Sequence, residues 1–391
     1  MSVSFVPLGD LVDFKGGGTP DKKIERYWNG GIPWASVKDF KSIELSGTRD
    51  TISQDGLKNS ASNLIPSGTV IVPTRMSVGK AAISTVDLAI NQDLKALLPK
   101  GKIDTRYLLH VLLASSAKLE RYATGATVKG ITLDVLRELE IPLPPLPEQR
   151  RIAAILDQAD ALRRLRRQSL SRLSELGQAI FFEMFGDPAT NPKGFRMRPL
   201  RDVASKFSDG PFGSNLKSAH YVDDGVRVIR LQNIGVNEFV DNDRAYIAPE
   251  HFASLRKHEC LPGDILVGTL GDPNLRACIQ PEWLGQALNK ADCVQIRVDD
   301  KVASNEYVCA LLNIPSVEKM AHSLVLGQTR ARISMGRLRD LHVPIAPKEM
   351  QDQFASVIAK QRSKIQLAEE AARSTETLFA SLQNRAFRGE L

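Results

Sequence analysis

The side chains best suited to chemistry in this 391-residue chain are a glycine cluster, a pair of carboxylates, and a scatter of basic and amide groups. In "DFKGGGTP" at 13–20, Phe14, Gly16 and Gly18 alternate with the spacing of S-adenosylmethionine loops. A cofactor loop of that kind follows a buried strand and opens a helix. Here the preceding "LGDLVD" is not a clear buried strand, and Thr19-Pro20 follows. The Asn/Asp-Pro-Pro-Tyr/Phe motif that amino-methyltransferases place around a flipped base is absent. The glycines are expected instead to form a flexible, basic loop whose backbone N–H groups approach phosphates. In "PDKKIE", Asp21 and Glu25 match half of a metal-dependent nuclease motif, but Tyr27 stands where that motif needs a lysine. The six histidines form no HExxH or other paired-ligand pattern. Cys260, Cys278, Cys293 and Cys309 lack the close spacing of a structural zinc site. No catalytic or metal site is read from these residues.

Nucleic-acid contact is a different matter, because it needs only exposed cations and amides. The formal charge of +7 and pI near 9.2 are compatible with it. Up to Asp187 there are 25 Lys+Arg against 21 Asp+Glu, and the remainder carries 27 against 24, so the excess is shared by both halves. Arg and Lys read guanine, Asn and Gln read adenine, and most contacts go to the phosphate backbone. The candidates in the first half are Lys15, Lys22, Lys23, Trp34, Lys38, Arg75, Lys80 and Lys129. Those in the second are Lys217, Arg230, Gln232, Asn233, Arg276, Arg330 and Arg332. Trp34 serves equally as a core residue. The "RRLRR" run at 163–167 would spread around a helix, which suits a solvated surface or a partner contact better than DNA.

Residues in both halves need elements to position them, and the chain repeats itself. "IPLPPLPEQRRIAAIL" from Ile141 is echoed by "VPIAPKEMQDQFASVI" from Val343, 202 residues later. At the same offset Gly125 falls on Gly327, Thr127 on Thr329, Ile131 on Ile333, Leu136 on Leu338 and Pro142 on Pro344. One unit of roughly 190–200 residues is written twice, too few copies for a solenoid. Within each unit, β-branched runs such as 70–72 and 226–229, bounded by Gly and Pro, read as strands. "DTRYLLHVLLASSAKLERYA" reads as helix behind an Asp104/Thr105 cap, with Leu108, Val111, Leu112 and Leu119 on one face.

After the prolines, residues from Glu148 to Phe185 and from Glu349 to about Phe387 read as two long helices, each about 57 Å if 38 residues rise 1.5 Å apiece. In the second, Ile358, Gln361, Ile365, Ala368, Ala372, Thr375, Phe379, Leu382 and Ala386 alternate steps of three and four, the seam of a coiled coil. The first repeats it as Leu156, Ala159, Arg163, Arg166, Leu170, Leu173, Gly177, Ile180 and Met184. Two arginines interrupt it beside Leu162 and Leu165, where the apolar stripe is expected to shift by one position. Pro142, Pro144, Pro145 and Pro147 are expected to hold an extended connector, with the helix beginning after them. Neither stripe is wide enough for burial all round, so each helix needs the other as partner.

No segment approaches about eighteen consecutive apolar residues, and the N-terminus lacks the pattern of a signal peptide. Four scattered cysteines fit a reducing cytoplasm and are expected to be buried.

Taken together, "TGATVKGIT", "IPLPPLPEQRRIAAILDQADAL", the early "GGGTPDKKIERYWNGGIPWASVKDF" and "AINQDL" resemble the specificity subunit of type I restriction–modification enzymes, over essentially the whole chain. The resemblance implies an α+β fold: two similar mixed target recognition domains separated by two long helices paired as an antiparallel coiled coil. The expected boundaries are 1–145 and 188–347 for the recognition domains, 146–187 and 348–391 for the helices. It further implies that each domain reads half of a split, asymmetric site in double-stranded DNA. The subunit would itself bind no cofactor and catalyse nothing. Two modification subunits carrying S-adenosylmethionine, and restriction subunits carrying ATP, Mg and the nuclease, would dock on it. The second copy departs from the family pattern in "PIAPKEMQDQ", which lacks the Pro-Pro and Glu-Gln pairs. A self-contained DNA methyltransferase or nuclease with a divergent site, and a coiled-coil scaffold without nucleic acid, are the alternatives.

Overall fold

A computed structural model describes residues 4–125, 128–271, 273–322, 325–326 and 332–391. The chain divides into two compact units, one of residues up to 167 with 370–391, the other of residues 168–369. Each unit takes in part of both long helices.

The first unit is built on two sheets. Five strands run in the order Val12–Gly16, Leu94–Pro99, Val70–Pro73, Ala82–Ser84 and Glu44–Leu45; four run Asp50–Ile52, Trp28–Ala35, Leu88–Ile90 and Leu64–Ile65. The second unit repeats the plan. Ala204–Asp209, Cys293–Val298, Ile265–Gly268 and Arg276–Ile279 form one sheet; Tyr221–Val222, Tyr246–Ile247, Val226–Ile229, Ala287–Asn289 and Glu259–Cys260 form the other. In both units one parallel pairing sits at the same place, Trp34 beside Ala89 and Val228 beside Leu288. The duplication seen as an echo in sequence is therefore a duplication of topology.

The 104–123 stretch forms two helices rather than one, Thr105–Ala114 and Ser116–Tyr122. Asp104 caps the first by accepting from the Tyr107 N–H. Leu108, Val111, Leu112 and Leu119 are buried as the periodicity requires.

The central long helix runs Leu146–Phe185 and the terminal one Lys348–Arg388. The central helix starts before Pro147, not after it, because proline lacks only an N–H that the first turn leaves unpaired anyway. Pairing is antiparallel. In the first unit Arg163 meets Glu376 and Phe379; in the second Gln361 meets Leu173, and Phe354 meets Phe181 and Phe185.

All the seam positions read from sequence are buried or half-buried except Arg166. Leu156 and Phe379 are buried, and Ala159, Leu170, Leu173, Ile180, Ile358, Ile365, Ala372 and Leu382 partly so. The expected shift of the stripe does not occur: Leu162 and Leu165 are 43% and 60% exposed. Arg163 keeps its place in the seam because its charge is met from both helices.

Each unit grips its helices in the same way. Tyr107 and Tyr307, both without exposed surface, donate their hydroxyls to the carbonyls of Pro142 and Pro344 at 2.8 and 2.7 Å. Gln149 accepts from Asp104 N and donates to the carbonyls of Lys102 and Pro144. Gln351 accepts from Ser304 N and donates to Val302 and Ala346. Loss of the Glu-Gln pair from the second copy is thus only half true: Met350 replaces the glutamate, but the glutamine that matters is kept. Replacing Gln351 by methionine preserves volume and strands three buried backbone groups. It is expected to cost about 3 kcal/mol, read by chemical denaturation against wild type.

All four cysteines are free and buried. Burial is the main force on each thiol, pushing Cys293 and Cys309 up to about 12 and Cys260 and Cys278 well above the usual range. A thiol reagent at pH 8 is expected to find no fast-reacting cysteine in the native chain and four after denaturation. Rapid native labelling would contradict this packing.

Candidate nucleic-acid interface

The glycine cluster is not a free loop. A Cβ on Gly17 would lie 1.8 Å from the Ile90 carbonyl, and one on Gly18 would strike Ala61. Gly18 N donates to Ile90 O, and its carbonyl accepts from Trp34 Nε1 and Ser62 Oγ. Gly210 is pressed against Lys290 in the same manner in the second unit. These glycines exist so that two backbone segments can touch, which removes them as a phosphate cradle. Asp21, half of the nuclease-like pair, accepts from Lys23 N in a local turn.

What the first unit does present is a connected set of exposed cations. Arg75 follows the strand Val70–Pro73 and bridges to Gly130, while Met76 N donates to Lys129 O. Residues 128–131 are held there by Ile131 N donating to Thr74 O at 2.9 Å. A turn returns the chain to Lys80, whose Nζ donates to Phe40 O, at the end of the Ser36–Phe40 turn that carries Lys38. Lys38, Arg75, Lys80 and Lys129 are thereby brought together, all exposed and without an ion pair among the described residues. Lys22 and Lys23 are exposed on a separate turn. Lys15 is half-buried, its ammonium directed to the Leu64 carbonyl. Trp34 is a core residue, buried edge-on against Trp28 and bonded to Gly18; it is not a reader.

The candidates in the second unit fare differently. Lys217 and Gln232 are exposed. Asn233 is fully buried: its Oδ1 accepts from Arg230 N, and its amide donates to Val240 and Asp243 carbonyls. Asp39 closes the equivalent turn in the first unit by accepting from Ser36 N. Arg276 spends its guanidinium on the carbonyls of Leu231, Ile234, Leu270 and Pro273, clamping two loops. Neither side chain is left to read a base. Arg230 is paired with Asp243 and lies over Tyr221. Arg332 is paired with Asp292 at 3.2 Å. Arg330 lies outside the described residues.

A feature not read from sequence is a hollow of about 460 Å³ in the second unit, lined by Arg227, Asp241, Arg244, Tyr246, Trp283 and Gln286. Trp283 is 64% exposed and edge-on to Phe239. Burial raises the Asp241 carboxyl, but bonds from Arg227 and Arg244 outweigh it and hold the group below the usual carboxylate range. Among the described residues no group of three His, Cys, Asp or Glu side chains is placed to hold a metal ion, and no helix is long and apolar enough to cross a membrane.

Residues 2–175 match the model of the type I restriction modification DNA specificity domain. A type I restriction enzyme specificity subunit of Escherichia coli is 35% identical over 183 residues, 45% of each chain. One from Methanocaldococcus jannaschii is 28% identical over 216 residues, 50% of each. The match thus spans about half the length of these two relatives. The crystal structure of a type I restriction–modification S subunit from M. genitalium aligns with 99% of this chain and 96% of its own, with a TM-score of 0.60 at 15% identity, and so shares the fold. Residues 2–175 are thus similar to the type I restriction modification DNA specificity domain, and the doubled mixed α/β plan with its two paired helices is the fold of the solved S subunit.

Proposed function

We propose that this chain is the DNA-reading component of a type I restriction–modification complex. Each globular part reads one half of a split, asymmetric site, and the paired helices serve as the spacer. The repeated topology carries this reading, since two copies of one reader suit two half-sites and divergent loops suit different bases. Lys38, Arg75, Lys80 and Lys129 supply phosphate contacts in the first reader, with Lys22 and Lys23 as outlying ones. Lys217, Gln232 and the wall of Arg244, Trp283 and Gln286 are the corresponding candidates in the second. The chain recruits two modification subunits, which bind S-adenosylmethionine, and restriction subunits, which bind ATP and Mg; the chemistry belongs to those partners.

The test is selection from randomised duplexes by the complex of this chain with its modification subunits. Two short motifs separated by a fixed unread gap are expected. One continuous motif overturns the reading. Methylation or cleavage by the purified chain alone, given S-adenosylmethionine or magnesium, would favour a self-contained enzyme instead.

A further inference from the structure

An arginine in the seam of two paired helices is an expensive choice, and the central helix makes it where apolar Leu162 and Leu165 stand adjacent and exposed. Arg163 is held from several directions. Its guanidinium donates to Asp160 on its own helix at 2.6 Å and to Glu376 on the terminal helix at 3.5 Å, and lies 4.2 Å from the Phe379 ring. Asp160 is only 2% exposed and is met on its other oxygen by Arg164 at 3.1 Å. Arg167, one turn further on, reaches the second oxygen of Glu376 at 2.5 Å. Glu376 and Phe379 are one turn apart, so Arg163 seats between a carboxylate and a ring presented by the same face.

An apolar seam of threes and fours repeats every heptad and packs comparably after a slide of about 10 Å. An ion cluster built on buried Asp160, with Arg163 and Glu376 half-buried, has one partner set and does not. We propose that Asp160, Arg163 and Glu376 fix the axial register of the two helices, and that Arg163 is thereby a positioning residue for DNA recognition, making the complex accept a single gap between half-sites. This rests on the split-site reading above.

The experiment uses the complex with its modification subunits and competition binding to duplexes that keep both half-sites while the gap is lengthened or shortened by one to three base pairs. Wild type is expected to lose about a hundredfold in affinity for a one-base change. The variant Asp160→Leu/Arg163→Leu/Glu376→Leu, which makes the seam apolar, is expected to keep the half-site bases while that loss shrinks to about tenfold or less. Arg163→Lys keeps the charge but loses the planar fork and the ring contact, and is expected to broaden the gap profile in the same direction, less far. A folded triple variant with the wild-type gap profile overturns the proposal. If the triple variant does not assemble, an unchanged profile in Arg163→Lys overturns it. A wild-type complex that selects no split motif removes the reading beneath the proposal, a result visible before any variant is made.

Discussion

Truncating Tyr307 to alanine is expected to cost about 3–5 kcal/mol, because the side chain is fully enclosed and its removal leaves a cavity among rigid rings. The ring stacks on Phe181 at 5.7 Å and meets Phe185 edge-on at 4.8 Å, and both phenylalanines in turn contact Phe354. Phe181 and Phe185 come from the central helix and Phe354 from the terminal one, so the ring of Tyr307 joins the second globe to both helices. Hydrogen exchange read by peptide would show it. Protection in 305–312 and 181–185 should fall by about 10²–10³-fold or more, with peptides of 70–99 in the first unit as internal reference. Tyr307→Phe removes only the bond to the Pro344 carbonyl and should cost about 1 kcal/mol. A small, equal loss for both variants would mean that the ring cluster does not anchor the helices.

The pair of tyrosines also shows what the sequence made legible. Tyr107 and Tyr307 stand in the corresponding helices of the two copies, and each bonds the proline carbonyl, Pro142 or Pro344, that the echo aligns. Seam positions, strand runs and helix extents were readable for the same reason: apolar periodicity and proline stiffness act over a few neighbouring residues. Arg163 defeated that logic because its place depends on Glu376 and Phe379, which no local pattern reveals. Asn233, Arg276 and Trp34 failed as readers for a related reason. The donors that suit bases are the donors that suit backbone carbonyls, and which they meet is settled by loop closure between distant segments, as with the four carbonyls around Arg276. Gln351 was overlooked because its neighbour had changed from glutamate to methionine, although the glutamine alone makes the clamp. Trp283 and Gln286 stand in no motif that marks a hollow, since the hollow is lined by residues far apart in the chain.

Neutralising Lys38, Arg75, Lys80 and Lys129 together to glutamine should weaken DNA binding by the assembled complex by about 10²–10³-fold near physiological salt. These four are exposed and lie on loops tied to one another through Lys80 with Phe40 and Met76 with Lys129, so they can follow one stretch of backbone. Each phosphate contact contributes about 0.9 to the slope of log affinity against log salt, so the quadruple variant should flatten that slope by about 3–4. Stability should hardly change, because none of the four is buried or ion-paired among the described residues. The salt slope separates two roles that a single affinity merges. A phosphate contact lowers binding to all sequences alike, whereas a base contact costs about 1–3 kcal/mol at one position and relaxes the preference there. Arg75→Gln alone is the sharpest case, since Arg75 sits where the two loops meet. If it changes the slope by about one unit and leaves the first half-site's bases untouched, it holds phosphate; if one base preference relaxes, it reads. A quadruple variant with the wild-type slope would place the first reader's DNA face elsewhere on the unit.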